Sequence, residues 1–130
     1  MNVLIVSATA QEVQTDFSHL VTGVGMVATA IGVTKELAQK DYDLVVNVGV
    51  AVSFNRSLQI GQVVEVVKDQ LSEVGAQDGL QFLTPKEMAL PVLTEVEGLS
   101  QTHLTAVSGI TVNMVHGNDR TIQKIVHRLN

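Results

Sequence analysis

The chain has no cysteine and no tryptophan, and only two prolines, three phenylalanines and one tyrosine among its 130 residues. Without cysteine there is no disulfide framework, no thiolate metal site and no sulfur nucleophile. Basic charge is also scarce. Eight Lys and Arg stand against thirteen Asp and Glu, a formal net charge of −5. Nucleic-acid binding needs a basic face for phosphates and rings on which bases stack, so that class of partner is excluded. No apolar run approaches the roughly 20 residues that cross a bilayer, and no membrane association is expected. The opening Met1-Asn2-Val3 carries no basic segment of the secretory kind, which makes a cytoplasmic protein the expectation. There is no His-Glu-x-x-His, EF-hand loop or P-loop, so neither metal nor cofactor is expected.

What is present is a chain of 45% hydrophobic and 16% charged residues with mean hydropathy +0.28. That balance excludes wholesale disorder. The length suits one domain over residues 1–130, because domains cluster near roughly 100–150 residues. The apolar residues fall into short β-branched runs at residues 3–6, 44–48 and 63–67, the last around a lone Glu65. Near-continuous runs of this kind suit strands covered on both faces. Ile110, Val112 and Met114 alternate with Thr111 and Asn113, the period of a half-buried strand.

Residues 26–40 carry helical periodicity instead. Val27, Ala30, Ile31, Thr34, Leu37 and Ala38 share one face, and Thr29, Gly32, Lys35 and Glu36 fall largely opposite. A second helix is predicted over residues 120–129, with Ile122, Ile125, Val126 and Leu129 inward and Asn118 or Asp119 as cap. Residues 75–100 hold both prolines and read as loop with a short helix near residues 85–90. The alternation predicts an α/β fold: three layers, α/β/α, around a central mixed, mostly parallel sheet.

Four segments have the composition of a site. Glu12 follows the first strand, where open α/β sheets bind ligands. It is either a catalytic carboxylate or half of a Thr9-x-x-Glu12 capping box. Gly23 and Gly25 open the residue 26–40 helix, where glycine lets backbone approach a ligand and free N–H groups face an anion. With Ala28 they match a loose dinucleotide fingerprint. The next strand, however, ends in Asn47-Val48-Gly49 rather than in the acidic residue that fingerprint requires. Val50, Ala51, Val52 and Ser53 form a small-residue rim at that strand end, and His116 precedes the second helix. A lone His in that position lines a pocket or simply satisfies a loop. His19, His103 and His127 are scattered singly and acquire no role.

In this order the segments resemble the nucleoside phosphorylase and nucleosidase superfamily, and within it the futalosine hydrolases. The stretches that carry the likeness are VLIVSAT with Glu12, VTGVGMVATA at residues 21–30, YDLVVNVGVAVSF at 42–54, RSLQIGQVVEVV at 56–67 and GITVNMVHGN at 109–118. The resemblance implies hydrolysis of the N-glycosidic bond of a purine nucleoside: futalosine to hypoxanthine and dehypoxanthine futalosine, in menaquinone biosynthesis. It implies Glu12 as the water-activating carboxylate. Gly23, Gly25, Val50, Ala51, Val52, Ser53 and His116 would be substrate contacts, and a homo-oligomer is implied as well. Val52 stands where the family has glycine. The family's ribose-binding glutamate and purine-protonating aspartate lie past the position of Asn130, so the chain is expected to be a truncated, internally shortened homologue. A non-catalytic nucleoside-binding or oligomerising relative is the alternative, and a dinucleotide-binding module the third.

Overall fold

The computed structural model describes residues 1–129. The chain divides into two compact units, Met1–Ser53 and Phe54–Asn130. The first contains β1 (Val3–Ser7), β2 (Ser18–Val21), α1 (Met26–Leu37) and β3 (Leu44–Asn47). Its sheet runs in the order β2-β1-β3 with both pairings parallel. Every residue of β1 is buried, as an unbroken Val-Leu-Ile-Val run in a central strand should be. Residues 8–17 connect β1 to β2 without a helix. A parallel return usually takes a dozen residues or more, so this one is close to the shortest that works.

Helix α1 forms where its periodicity predicts, but with the opposite face turned inward. Met26, Ala28, Thr29, Gly32, Val33 and Glu36 are half-buried, whereas Val27, Ile31 and Leu37 are exposed. The reason is close packing on the residue that ends the β2 ladder. A methyl group on Gly32 would lie 3.1 Å from Thr22 Cγ2, and the Thr22 and Thr29 hydroxyls are 3.2 Å apart. Small residues let the helix axis approach the chain at Thr22, and that face wins over the larger apolar one.

The second unit contains β4 (Val64–Leu71), β5 (Ala76–Asp78), β6 (Gln81–Leu83), β7 (Glu95–Glu97), β8 (Thr105–Thr111) and α2 (Asp119–Leu129). One sheet has the order β7-β4-β8, with β8 parallel and β7 antiparallel to β4. β5 and β6 form a separate antiparallel hairpin. Its two-residue loop begins at Gly79, whose φ of 59° meets the demand of the primed hairpin turns for a left-handed first residue. The strands thus lie in three sheets rather than in one central sheet. The class is nevertheless α/β, with β1·β2, β1·β3 and β4·β8 all parallel.

Three further expectations need correction. Residues 75–100 are not loop throughout, because they supply β5, β6 and β7. Residues 85–89 make turns instead of the short helix, anchored by reciprocal bonds between Thr84 and Glu87. The alternating stretch around Ile110 belongs to a strand that ends at Thr111, since its partner β4 ends at Leu71 in register with it. Met114 is left 64% exposed. α2 agrees with its pattern: Ile125 is buried, and Asn118 caps the helix by accepting the Arg120 N–H at 2.9 Å. None of the described helices is long and apolar enough to cross a membrane.

Candidate functional site

Because β2, β1 and β3 are mutually parallel, their carboxyl ends lie along one edge, the usual ligand edge of an open α/β sheet. Three loops leave that edge. Backbone bonds extend the ladders into them: Thr22 N–H to the Ser7 carbonyl at 2.9 Å, Gly23 N–H to the Ala8 carbonyl at 3.1 Å, and Val48 N–H to the Val6 carbonyl at 2.8 Å. The loops are therefore pinned at their roots, and Glu12, Gly23, Gly25 and Val50 to Ser53 all stem from the same edge.

Glu12 is half-buried, and its carboxylate is the most heavily bonded group there. Oε2 accepts the Thr9 N–H at 2.7 Å and the Thr9 hydroxyl at 3.3 Å. The Thr9 backbone bond is the main cause of its pKa falling below the ordinary glutamate value; the N–H groups of Val50 and Ala8 add to it. Glu12 Oε1 faces the β3 loop so closely that a methyl group on Gly49 would lie only 3.2 Å away. Glycine at 49 thus leaves the space into which the carboxylate projects. The Thr9-x-x-Glu12 motif forms its bond, but no helix follows it, so it closes a turn and ties the β1 loop to the β3 loop.

Gly23 and Gly25 have φ of 88° and 104°, values that favour glycine. Gly25 is the N-cap of α1 and offers no side chain to its first turn, whose N–H groups are left to other partners. Val50, Ala51, Val52 and Ser53 are all exposed, Val52 to 72%, and form an open rim. His116 lies in the second unit, where its Nε2 is 3.2 Å from Glu73 Oε1. The other Glu73 oxygen accepts the Asn113 N–H at 2.6 Å. That pair closes the loop after β8.

One pairing at the first edge escapes sequence reasoning. Ser7 Oγ, fully buried, lies 2.8 Å from His19 Nε2. Ser7 donates its only hydroxyl proton to the Thr9 carbonyl at 2.7 Å, so it accepts from His19, and Nε2 carries the proton. This is a structural bond rather than a nucleophile beside its base. The signal was the parallel register, which pairs Ile5 with His19 and Ser7 with Val21 and so sets Ser7 and His19 on one face. Among the described residues no three His, Asp or Glu converge as a metal site.

An ionised carboxylate, a loop with left-handed glycines and a small-residue rim along one strand edge can stabilise positive charge and orient a water over a flat ligand. No protein-family model, curated protein or solved structure matches the chain.

Proposed function

We propose that Met1–Ser53 carries the water-activating side of a purine N-glycosidic hydrolase site of the futalosine-hydrolase kind. The observation behind this reading is the Glu12 carboxylate, ionised and fixed by Thr9 at the carboxyl edge of a parallel sheet. In such a reaction the bond from the anomeric carbon to the purine nitrogen breaks as water oxygen bonds to that carbon. The purine leaves with its electron pair and takes up a proton, and the water proton passes to a base. A carboxylate whose pKa is lowered is a weak base but stays charged, so Glu12 contributes chiefly by stabilising the oxocarbenium-like centre and orienting the water. The resemblance of the surrounding segments to the nucleosidases supplies the substrate class, and the cytoplasm is the compartment that goes with it.

A second reading, nucleoside binding without turnover, is favoured by the same carboxylate, because Oε2 already accepts two bonds from Thr9. Incubation with futalosine, inosine and methylthioadenosine separates the two. Free-base release that falls by about 10²–10³-fold in Glu12→Gln supports hydrolysis, since loss of one preorganised electrostatic group costs about that much. Release unaffected by the substitution removes Glu12 from the chemistry, and a thermal shift with hypoxanthine but no release supports the binder. Self-association goes with either reading and is supported by the outward apolar face of α1, where Val27 and Ile31 are 74% and 51% exposed. Ile31→Glu is expected to lower the sedimentation-derived mass. A wild-type chain that sediments as a monomer rejects the oligomer.

A further inference from the structure

Ser7 is the one polar residue of β1, and it is fully buried at the end of that strand. A hydroxyl taken out of water costs free energy unless protein groups satisfy it. Here its proton goes to the Thr9 carbonyl at 2.7 Å, and an Oγ lone pair takes the His19 Nε2–H at 2.8 Å. Thr9 in turn is the residue whose N–H and hydroxyl hold Glu12 Oε2, at 2.7 and 3.3 Å. Thr9 is therefore fixed from both ends, by Ser7 on its carbonyl and by Glu12 on its N–H. The Ser7 main-chain carbonyl serves the neighbouring loop separately, accepting the Thr22 N–H at 2.9 Å.

We propose that Ser7 is a positioning residue for Glu12: its hydroxyl, oriented by His19, holds the Thr9 carbonyl and so keeps the Thr9 donors aimed at the carboxylate. The inference rests on the assignment of Glu12 to the chemistry. Ser7 has a single hydroxyl proton. A His19 ring without a proton on Nε2 would compete with the Thr9 carbonyl for it. A ring protonated there removes the competition and leaves Thr9 as the acceptor. No helix follows the Thr9-x-x-Glu12 turn to stiffen it, so its geometry depends on such ties. A catalytic group misplaced by about 1 Å can cost about 10²-fold in rate. Ser7 acts on the reaction through orientation, without touching the substrate.

The test follows the Glu12 carboxyl carbon by NMR through an acid titration of the whole chain, in wild type and in Ser7→Ala. Free-base release from futalosine, inosine and methylthioadenosine is measured alongside. In Ser7→Ala the Glu12 midpoint is expected to rise toward the ordinary value of 4.5, because the Thr9 backbone bond that lowers it is loosened. The Thr9 and Glu12 amide resonances should move. Those of Thr22 and Gly23, tied to main-chain carbonyls that the substitution keeps, should stay close to wild type. Release is expected to fall about tenfold or more with KM little changed. An unmoved Glu12 midpoint, unchanged release, or disturbance at Thr22 and Gly23 as large as at Thr9 each overturns the inference. If the wild-type chain releases no base, the hydrolase reading fails by itself, and the Glu12 midpoint still decides the role of Ser7. Should Ser7→Ala fail to fold, the wild-type ring decides. Its nitrogen shifts are expected to show neutral His19 protonated at Nε2, and protonation at Nδ1 instead overturns the inference.

Discussion

β1 and β4 are each the middle strand of a three-stranded sheet, and the two are held in place by different forces. β1 has a parallel neighbour on either side and buries all five residues. β4 has one parallel and one antiparallel neighbour, and none of its eight residues is buried. Its polar residues have specific partners instead. Glu65 accepts bonds from Ser100, Gln101 and Thr102, Lys68 pairs with Glu95 at 2.9 Å, and Asp69 accepts from the Thr111 hydroxyl at 2.7 Å. One strand is fixed by the volume it removes from water and the other by charge and hydrogen bonds. The first should respond to side-chain size, the second to pH and salt.

The largest effect is expected in β1. Leu4 is 1% exposed, and Leu4→Ala should cost about 2–5 kcal/mol through lost burial and the cavity left behind. Val66→Ala in β4, at a side chain 53% exposed, should cost less than about 1 kcal/mol. Urea unfolding of both variants measures the difference, and equal losses would break the contrast.

The next effect concerns Glu65, whose carboxyl is held down at about 2, first by the Ser100 hydroxyl and then by the Gln101 N–H and the Thr102 hydroxyl. A depressed folded-state pKa means that the folded chain binds fewer protons than the unfolded one. The stabilisation is therefore complete above the ordinary value of 4.5 and is lost as pH falls toward 2. Glu65→Gln should lower the denaturant midpoint at neutral pH and flatten its acid dependence. An unchanged acid slope would mean that loop 100–102 does not depend on this carboxylate.

The smallest effect is expected at Lys68. Its partner is solvated, and such ion pairs contribute little and are screened. Lys68→Ala should shift the midpoint only slightly, and high salt should abolish that shift. A salt-insensitive loss would sharpen the comparison differently, assigning Lys68 to packing of its aliphatic stem against β7.

How much of this was legible in the sequence depends on the kind of residue. The run Val3 to Val6 announced its own burial because nothing but a covered strand accommodates it. The start of α1 and the extent of α2 followed from periodicity and from the Asn118 cap, whereas α1 ends at Leu37, short of the expected residue 40. β5, β6 and β7 were hidden because three-residue strands carry too little pattern, and Gly79 was their one usable signal. At the candidate site the sequence marked Glu12, Gly23, Gly25 and the rim at Val50 to Ser53. It gave no sign that Oε2 is spent on Thr9, nor that Gly49 clears space for Oε1. Ser7 and His19 were invisible as a pair until register aligned them.

The sequence by itself determined the α/β class, the lack of thiol chemistry, the acidic balance and the placement of the longer elements. All of these follow from composition and from short-range periodicity. Tertiary structure alone decided which face of α1 turns inward. Hydrophobic periodicity ranks faces by apolarity, whereas the observed packing is set by how closely Gly32 and Thr29 allow the helix to approach Thr22. It alone also decided which carboxylates are tethered and where Arg128 meets the Ser72 carbonyl. Those encounters join residues 56 positions apart in the case of Arg128, and no local pattern encodes a contact at that distance.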